Sequence, residues 1–379
     1  MAKRSVMIIA LASSVLLGFK APESVKESSE FKPHMQSIYA SVVQLMPLFL
    51  TDESKIRGSE KQVMETQLKN LAEQSQSIQK LALKSDASHQ ARARDLAVSS
   101  EAAYTQFKQN RQSQARFLLS DVLNTCFGCH TSRESEKDSQ FVTNFNKDVK
   151  WKSLEPLARA RFLALSRQFD ASIKEYEVLL KSADISEDDF INLDPLVEYM
   201  ILGLRVKNDR NQVENTLKSI KLDLYPEIVK NDINSWVKSL EELKKEKPAS
   251  SMFLEAKNQM ALAKQSLEYP QDRKGLVRYI IASRILNDVV QDKSLPTLER
   301  AEAYYNLGLC ENIIDVNFFS DQSLAYFEET IRLAPRSELS KKAFAQFEDI
   351  VRFSFSGSAG TSIPESEKEK MRSLKKMAL

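Results

Sequence analysis

Glycine and proline are scarce in this chain, at 8 and 11 of 379 residues. Both punctuate chains with turns, so their scarcity argues against turn-rich architectures. With Leu, Ala, Lys, Glu and Gln abundant instead, long helices with short connections are expected, and the fold class reads as all-α. An excess of charge of one sign is also missing: 54 basic residues face 52 acidic ones. The net charge of +2 is too small to imply a nucleic-acid partner, although local patches could still dock an acidic protein. Hydrophobic residues at 42% and charged residues at 28% make an ordinary globular balance, over a length sufficient for two or three domains.

Cysteine and histidine are rarer still, at 3 residues each. Half of them fall in one pentapeptide, Cys126-Phe127-Gly128-Cys129-His130. This reads C-x-x-C-H, the attachment pattern of a c-type haem. Two thiols at i and i+3 share a helix face and can form thioethers to the two vinyl groups, and the following histidine ligates the iron. One such pentapeptide implies one haem. A zinc site would lack ligands, since only Cys310, His34 and His89 remain. A plain disulfide across the pair is the other reading.

Only one long apolar run is present. Met1-Ala2-Lys3-Arg4 precedes Val6 to Phe19, broken by Ser13 and Ser14, which fits a secretory signal over residues 1–21. The run falls short of the roughly 20 residues that span a bilayer. Phe19-Lys20-Ala21 is a poor cleavage site, so retention as an N-terminal membrane anchor stands beside removal. No cysteine follows the run to carry a lipid. Export to the periplasm and covalent haem support each other, because haem attachment belongs outside the bacterial cytoplasm.

Four helix-period segments follow, over about 33–49, 60–83, 91–110 and 113–130. Their stripes run through Met35, Ile38, Val42 and Leu45, then Met64, Leu68, Leu71 and Ile78. Leu96, Ala103 and Phe107 follow, then Phe117, Leu118, Val122 and Cys126. Short polar turns between them make an up-down four-helix bundle that can enclose a haem.

The attachment motif closes the fourth of these helices instead of lying near the N-terminus. In that position, and in its helix count, the segment 31–133 resembles the class II cytochromes c, the cytochrome c-prime group and its methionine-ligated relatives. The resemblance implies a four-helix bundle with one covalent haem c at Cys126 and Cys129 and His130 as proximal ligand. It also implies that a residue near the start of the first helix faces the sixth position. Met35 matches best, in the first turn and on the inward stripe. Met46 lies roughly 16 Å further along the axis, and His34 points about 100° away. Core packing is the bland reading of Met35, and an open sixth position is the remaining one. Members commonly carry an aromatic residue and then an arginine after the haem histidine. Here Thr131-Ser132-Arg133 follows, which puts Arg133 one position early.

Residues 134–150 are polar and read as a linker. From Trp151 helical patterns resume. Ser172 to Tyr176 and Ser323 to Phe327 each place a small residue four before an aromatic one. Leu307-Gly308 upstream of the second copy and Pro335 after it resemble a tetratricopeptide repeat, with Ala160 in the glycine's place in the first copy. An α-solenoid of helical hairpins is therefore expected over 151–353, with a mobile tail at 354–379 that ends in a short basic helix from Glu365 to Leu379.

These readings converge on an exported haem c protein for electron transfer, docked to a redox partner or envelope complex through its repeats. A haem sensor of nitric oxide or carbon monoxide, and an envelope scaffold with a structural haem, are the alternatives. No distal histidine with a nearby acid or arginine is assignable, so an enzyme is not expected.

Overall fold

The computed structural model describes residues 30–49, 56, 58–132, 154–182, 195–269, 272–314, 321–358 and 360–379. The expected export segment at 1–21, Arg133, and the linker at 134–150 lie outside these residues. Among the described residues the protein is all-α: fifteen α-helices, a π-helical and a 3-10 segment, and one pair of two-residue strands. No described helix is long and apolar enough to cross a membrane.

Helices α1 (Phe31–Phe49), α2 (Gly58–Ala82), α3 (Ala87–Lys108) and α4 (Gln112–His130) pack each on the next. Their shared core is aliphatic, with Leu45, Met64, Leu68, Leu71, Leu119 and Val122 all essentially inaccessible to water. These residues recur at three- and four-residue spacing, which puts them on one face of each helix. The start of α3 is set by Asp86, whose carboxylate accepts the His89 backbone N–H at 3.1 Å. That cap starts the helix four residues earlier than the apolar stripe suggests. Between α1 and α2 the seam is partly polar: Asn70 donates to the Ser41 hydroxyl at 2.8 Å, and the His34 ring to Gln74 at 2.8 Å.

One expectation is corrected in α4. Phe117 points to solvent and is 60% exposed. The buried stripe runs Ala115, Leu119, Val122, and Phe117 sits about 200° around the helix from Ala115.

The second part starts with α5 (Pro156–Leu165) and α6 (Phe169–Ser182), then α7 (Pro195–Met200) leading into a π-helical turn, Ile201–Val206. It continues with α8 (Arg210–Ser219), α9 (Glu227–Leu243), α10 (Met252–Gln265), α11 (Leu276–Val289), α12 (Thr297–Ile314), α13 (Asp321–Leu333) and α14 (Glu338–Ser354). Neighbours in sequence pack most closely in α5 with α6, α10 with α11, and α12 with α13, whereas α9 packs on α11. Small residues permit the close approaches. A Cβ at Gly308 would lie 2.7 Å from the Phe327 ring, and the Ser172 hydroxyl donates to the Ala160 carbonyl across α5 and α6 at 2.7 Å. Trp236, Tyr176, Tyr199 and Phe169 fill this core completely.

The tail ends in α15 (Glu365–Ala378), over the range expected for its short basic helix. Met371, Leu374 and Ala378 bury against Phe327, Ile331 and Phe347 of α13 and α14. Its high charge sits on the outer face, so composition hides a stripe at i, i+3 and i+7.

The two parts also dock on each other. Helix α13 packs on α3 and α5 on α4. Phe162 of α5 enters the first core, with its ring centroid 6.0 Å from that of Tyr39. Phe127 of α4 enters the second core in turn.

Candidate haem-attachment site

Cys126, Cys129 and His130 occupy the last turn of α4, all three half-buried and both thiols free. The helix end holding them is tied down. Thr131 donates through its hydroxyl to the Phe127 carbonyl at 2.8 Å, and Ser132 to the Cys129 carbonyl at 2.9 Å. Orphan carbonyls of the last turn are thus satisfied locally. Burial, and secondarily Cys129, pushes the Cys126 thiol up to about 12, so it stays protonated at neutral pH.

His130 is oriented from the second part of the molecule. Its Nδ1–H donates to the backbone carbonyl of Leu165 at 2.7 Å. That carbonyl is free for a local reason. At the end of α5, the N–H groups of Ser166, Arg167 and Gln168 close on Phe162, Ala164 and Leu163. Arg167 takes the left-handed conformation this closure needs, with φ of 57°. A non-glycine residue there costs on the order of 1 kcal/mol. The Leu165 oxygen is left over and meets the imidazole.

Because a carbonyl can only accept, the proton is on Nδ1, and the Nε2 lone pair has no hydrogen-bond partner among the described residues. Burial, then the nearby Arg167 charge, lowers the imidazole pKa to about 4, so the ring is neutral at physiological pH. A histidine fixed at Nδ1 by a carbonyl and neutral at Nε2 is in the state a metal requires.

The surroundings suit an apolar macrocycle. Nine half-buried apolar residues fringe the first core, and seven lie on α1 and α4: Phe31, Met35, Tyr39, Val43, Leu118, Leu123 and Cys126. These two helices do not approach each other as closely as consecutive ones do. Met35 is thus half-buried on the fringe, whereas Met46 is 6% exposed in the core. His89, in the first turn of α3, is held by the capping Asp86 at 2.7 Å.

The donor set fits a covalent haem: two thiols one turn apart, one neutral imidazole with Nε2 free, and apolar flanks. Among the described residues no three His, Cys, Asp or Glu side chains gather as a metal cage. Sequence reasoning finds the pentapeptide but misses its partners, the Leu165 carbonyl, Arg167, and the buried Arg92 of α3, whose charge also reaches His130. Comparison of the chain with family models, curated proteins and solved structures finds no match.

Proposed function

We propose that this protein is an exported c-type cytochrome that carries one haem for electron transfer and docks a partner through its second helical part. In this reading Cys126 and Cys129 hold the porphyrin through thioethers and His130 holds the iron through Nε2. The bound haem supplies a one-electron couple, and a thioether from Met35 on the other face would favour its reduced form. The first part is then a class II-type bundle, and the second a tetratricopeptide-like stack whose surface receives the partner.

The observation that carries the proposal is the His130 Nδ1–H bond to the Leu165 carbonyl. It fixes the tautomer and aims the free nitrogen away from the backbone that anchors it. A structural histidine would gain nothing from an unencumbered Nε2 beside two free thiols. Electron transfer between proteins needs no bond making by side chains. What the chain contributes is therefore a fixed ligand, a partly water-excluding apolar wall, and a docking surface.

The test is expression of the full chain in a host that attaches haem c, followed by haem staining of a denaturing gel. A stained band at the protein's mass is expected for the natural sequence and none for Cys126→Ala/Cys129→Ala. Absence of the band in the natural sequence overturns the reading.

A further inference from the structure

Arg92, in the second turn of α3, is a cation in an unusual position. It is 4% exposed. Its Nη2 donates to the Tyr326 hydroxyl at 3.2 Å, and its Nε, fully enclosed, has no hydrogen-bond partner among the described residues. No carboxylate among the described residues forms an ion pair with it. Asp86 and Glu311 act on it only through space, and each is engaged elsewhere, by His89 at 2.7 Å and by Arg205 at 3.0 Å. Buried charges in folded proteins are paired or balanced, and an unbalanced guanidinium costs several kcal/mol.

Tyr326 cannot balance it. A phenol offers one O–H and two lone pairs. The lone pairs take Arg92 Nη2 and Gln322 Nε2, the latter at 2.8 Å, and the O–H goes to the Ser88 hydroxyl at 2.9 Å. The hydroxyl is fully committed, and burial keeps the phenol neutral. It positions the guanidinium without neutralising it. The same turn of α13 covers the attachment motif: a Cβ on Gly128 would lie 3.5 Å from Gln322 Oε1. Arg92 is close enough to Cys129 and His130 for the charges to interact.

A buried cation beside the motif, lacking an anion and held by a neutral tyrosine, calls for a carboxylate brought by the ligand. Haem carries two carboxylates on its propionate arms. We propose that Arg92 receives a haem propionate and that Tyr326 is the positioning residue that holds Arg92 ready for it. The second part of the molecule thereby completes the haem site of the first. This rests on the haem reading above.

The test uses the full chain loaded with haem, comparing Arg92→Gln, Arg92→Lys and Tyr326→Phe. Haem stain reports attachment, a spectroelectrochemical titration the midpoint potential, and resonance Raman the propionate bending band. Removing the cation leaves a carboxylate unbalanced near the iron and favours the oxidised state. Arg92→Gln should lower the potential by about 59 mV, equivalent to a tenfold shift in the one-electron equilibrium, and should move the Raman band. Arg92→Lys should recover more than half of both changes. Tyr326→Phe should shift both in the same direction by less.

A stained Arg92→Gln protein with unchanged potential and unchanged band overturns the proposal while leaving the haem reading intact. No stained band in the natural sequence overturns both. If Arg92→Gln does not fold, Tyr326→Phe decides by the same two readouts: movement supports the proposal and no movement overturns it.

Discussion

The two parts of this molecule finish their cores differently. In the second, Trp236, Tyr176, Tyr199 and Phe169 are sealed by protein alone, and Trp236 also donates its Nε1–H to the Arg273 carbonyl at 2.8 Å. In the first, the fully sealed apolar residues of its own four helices are aliphatic, and the sealed ring, Phe162, comes from α5. The aromatic rings of Phe31, Tyr39 and Tyr104 are left at the fringe, half-covered. Covering apolar surface is worth roughly 25 cal/mol per Å², so a fringe of this kind is stabilisation that a planar apolar group could still add. The contrast teaches that the second core is closed by protein side chains, Phe127 of α4 among them, while the first leaves a fringe that the proposed haem would cover.

The strongest way to break this contrast is to withhold the haem. In Cys126→Ala/Cys129→Ala, amide exchange in α1 and α4 should quicken by at least about tenfold relative to the loaded protein. Exchange in α9 to α11 should stay the same. Equal acceleration in both parts would contradict the contrast.

Met35→Ala comes next. A six-coordinate low-spin spectrum in the natural sequence should become high-spin and bind carbon monoxide in the variant. A natural protein already high-spin, binding carbon monoxide rapidly, would favour gas binding over electron transfer.

Two truncations sharpen the comparison at a smaller scale. Trp236→Ala should cost about 3–5 kcal/mol in denaturant unfolding with or without haem. Tyr39→Ala should cost about 1–2 kcal/mol in the haem-free chain, because its ring is only half-covered. It should cost measurably more in the loaded chain.

Asp232 gives the smallest effect. Burial, then repulsion from Asp272, raises its carboxyl from 3.8 to about 6, against the pull of Lys274. The folded state therefore holds this proton more tightly than the unfolded one, and stability is lost as pH rises from about 4 to 6. Asp232→Asn should stabilise the second part by about 1 kcal/mol at pH 7, discounted for partial exposure. The gain should vanish near pH 4. A gain independent of pH would rule out the titration as its source.

Much of this was readable from residue order where the determinants are local. The stripes through Ile38, Met64 and Val122 define α1 to α4 to within a few residues, and the pentapeptide is a pattern of five consecutive positions. The hairpin holding Gly308 and Phe327 was legible through its resemblance to a tetratricopeptide repeat, and the contact between the two residues was not. What stayed hidden is long-range or masked by composition. Nothing near Arg92 in sequence reveals Tyr326, 234 positions away. The Leu165 carbonyl that orients His130 is free only because Arg167 turns left-handed, which arginine rarely signals. Phe117 reads as core because it is aromatic and flanks the stripe, and only the helix phase turns it to solvent. The tail helix was legible, but not the docking of Met371 and Leu374 on Phe327 and Phe347, which lie far off in sequence.

The central claim is that Cys126, Cys129 and His130 hold a haem. Intact mass spectrometry of the full chain, produced with a haem c attachment system and denatured before injection, tests it most directly. The account predicts a mass raised by one haem, with the added group mapped to the peptide containing Cys126 and Cys129. A chain at its polypeptide mass, with both thiols alkylatable, would contradict it.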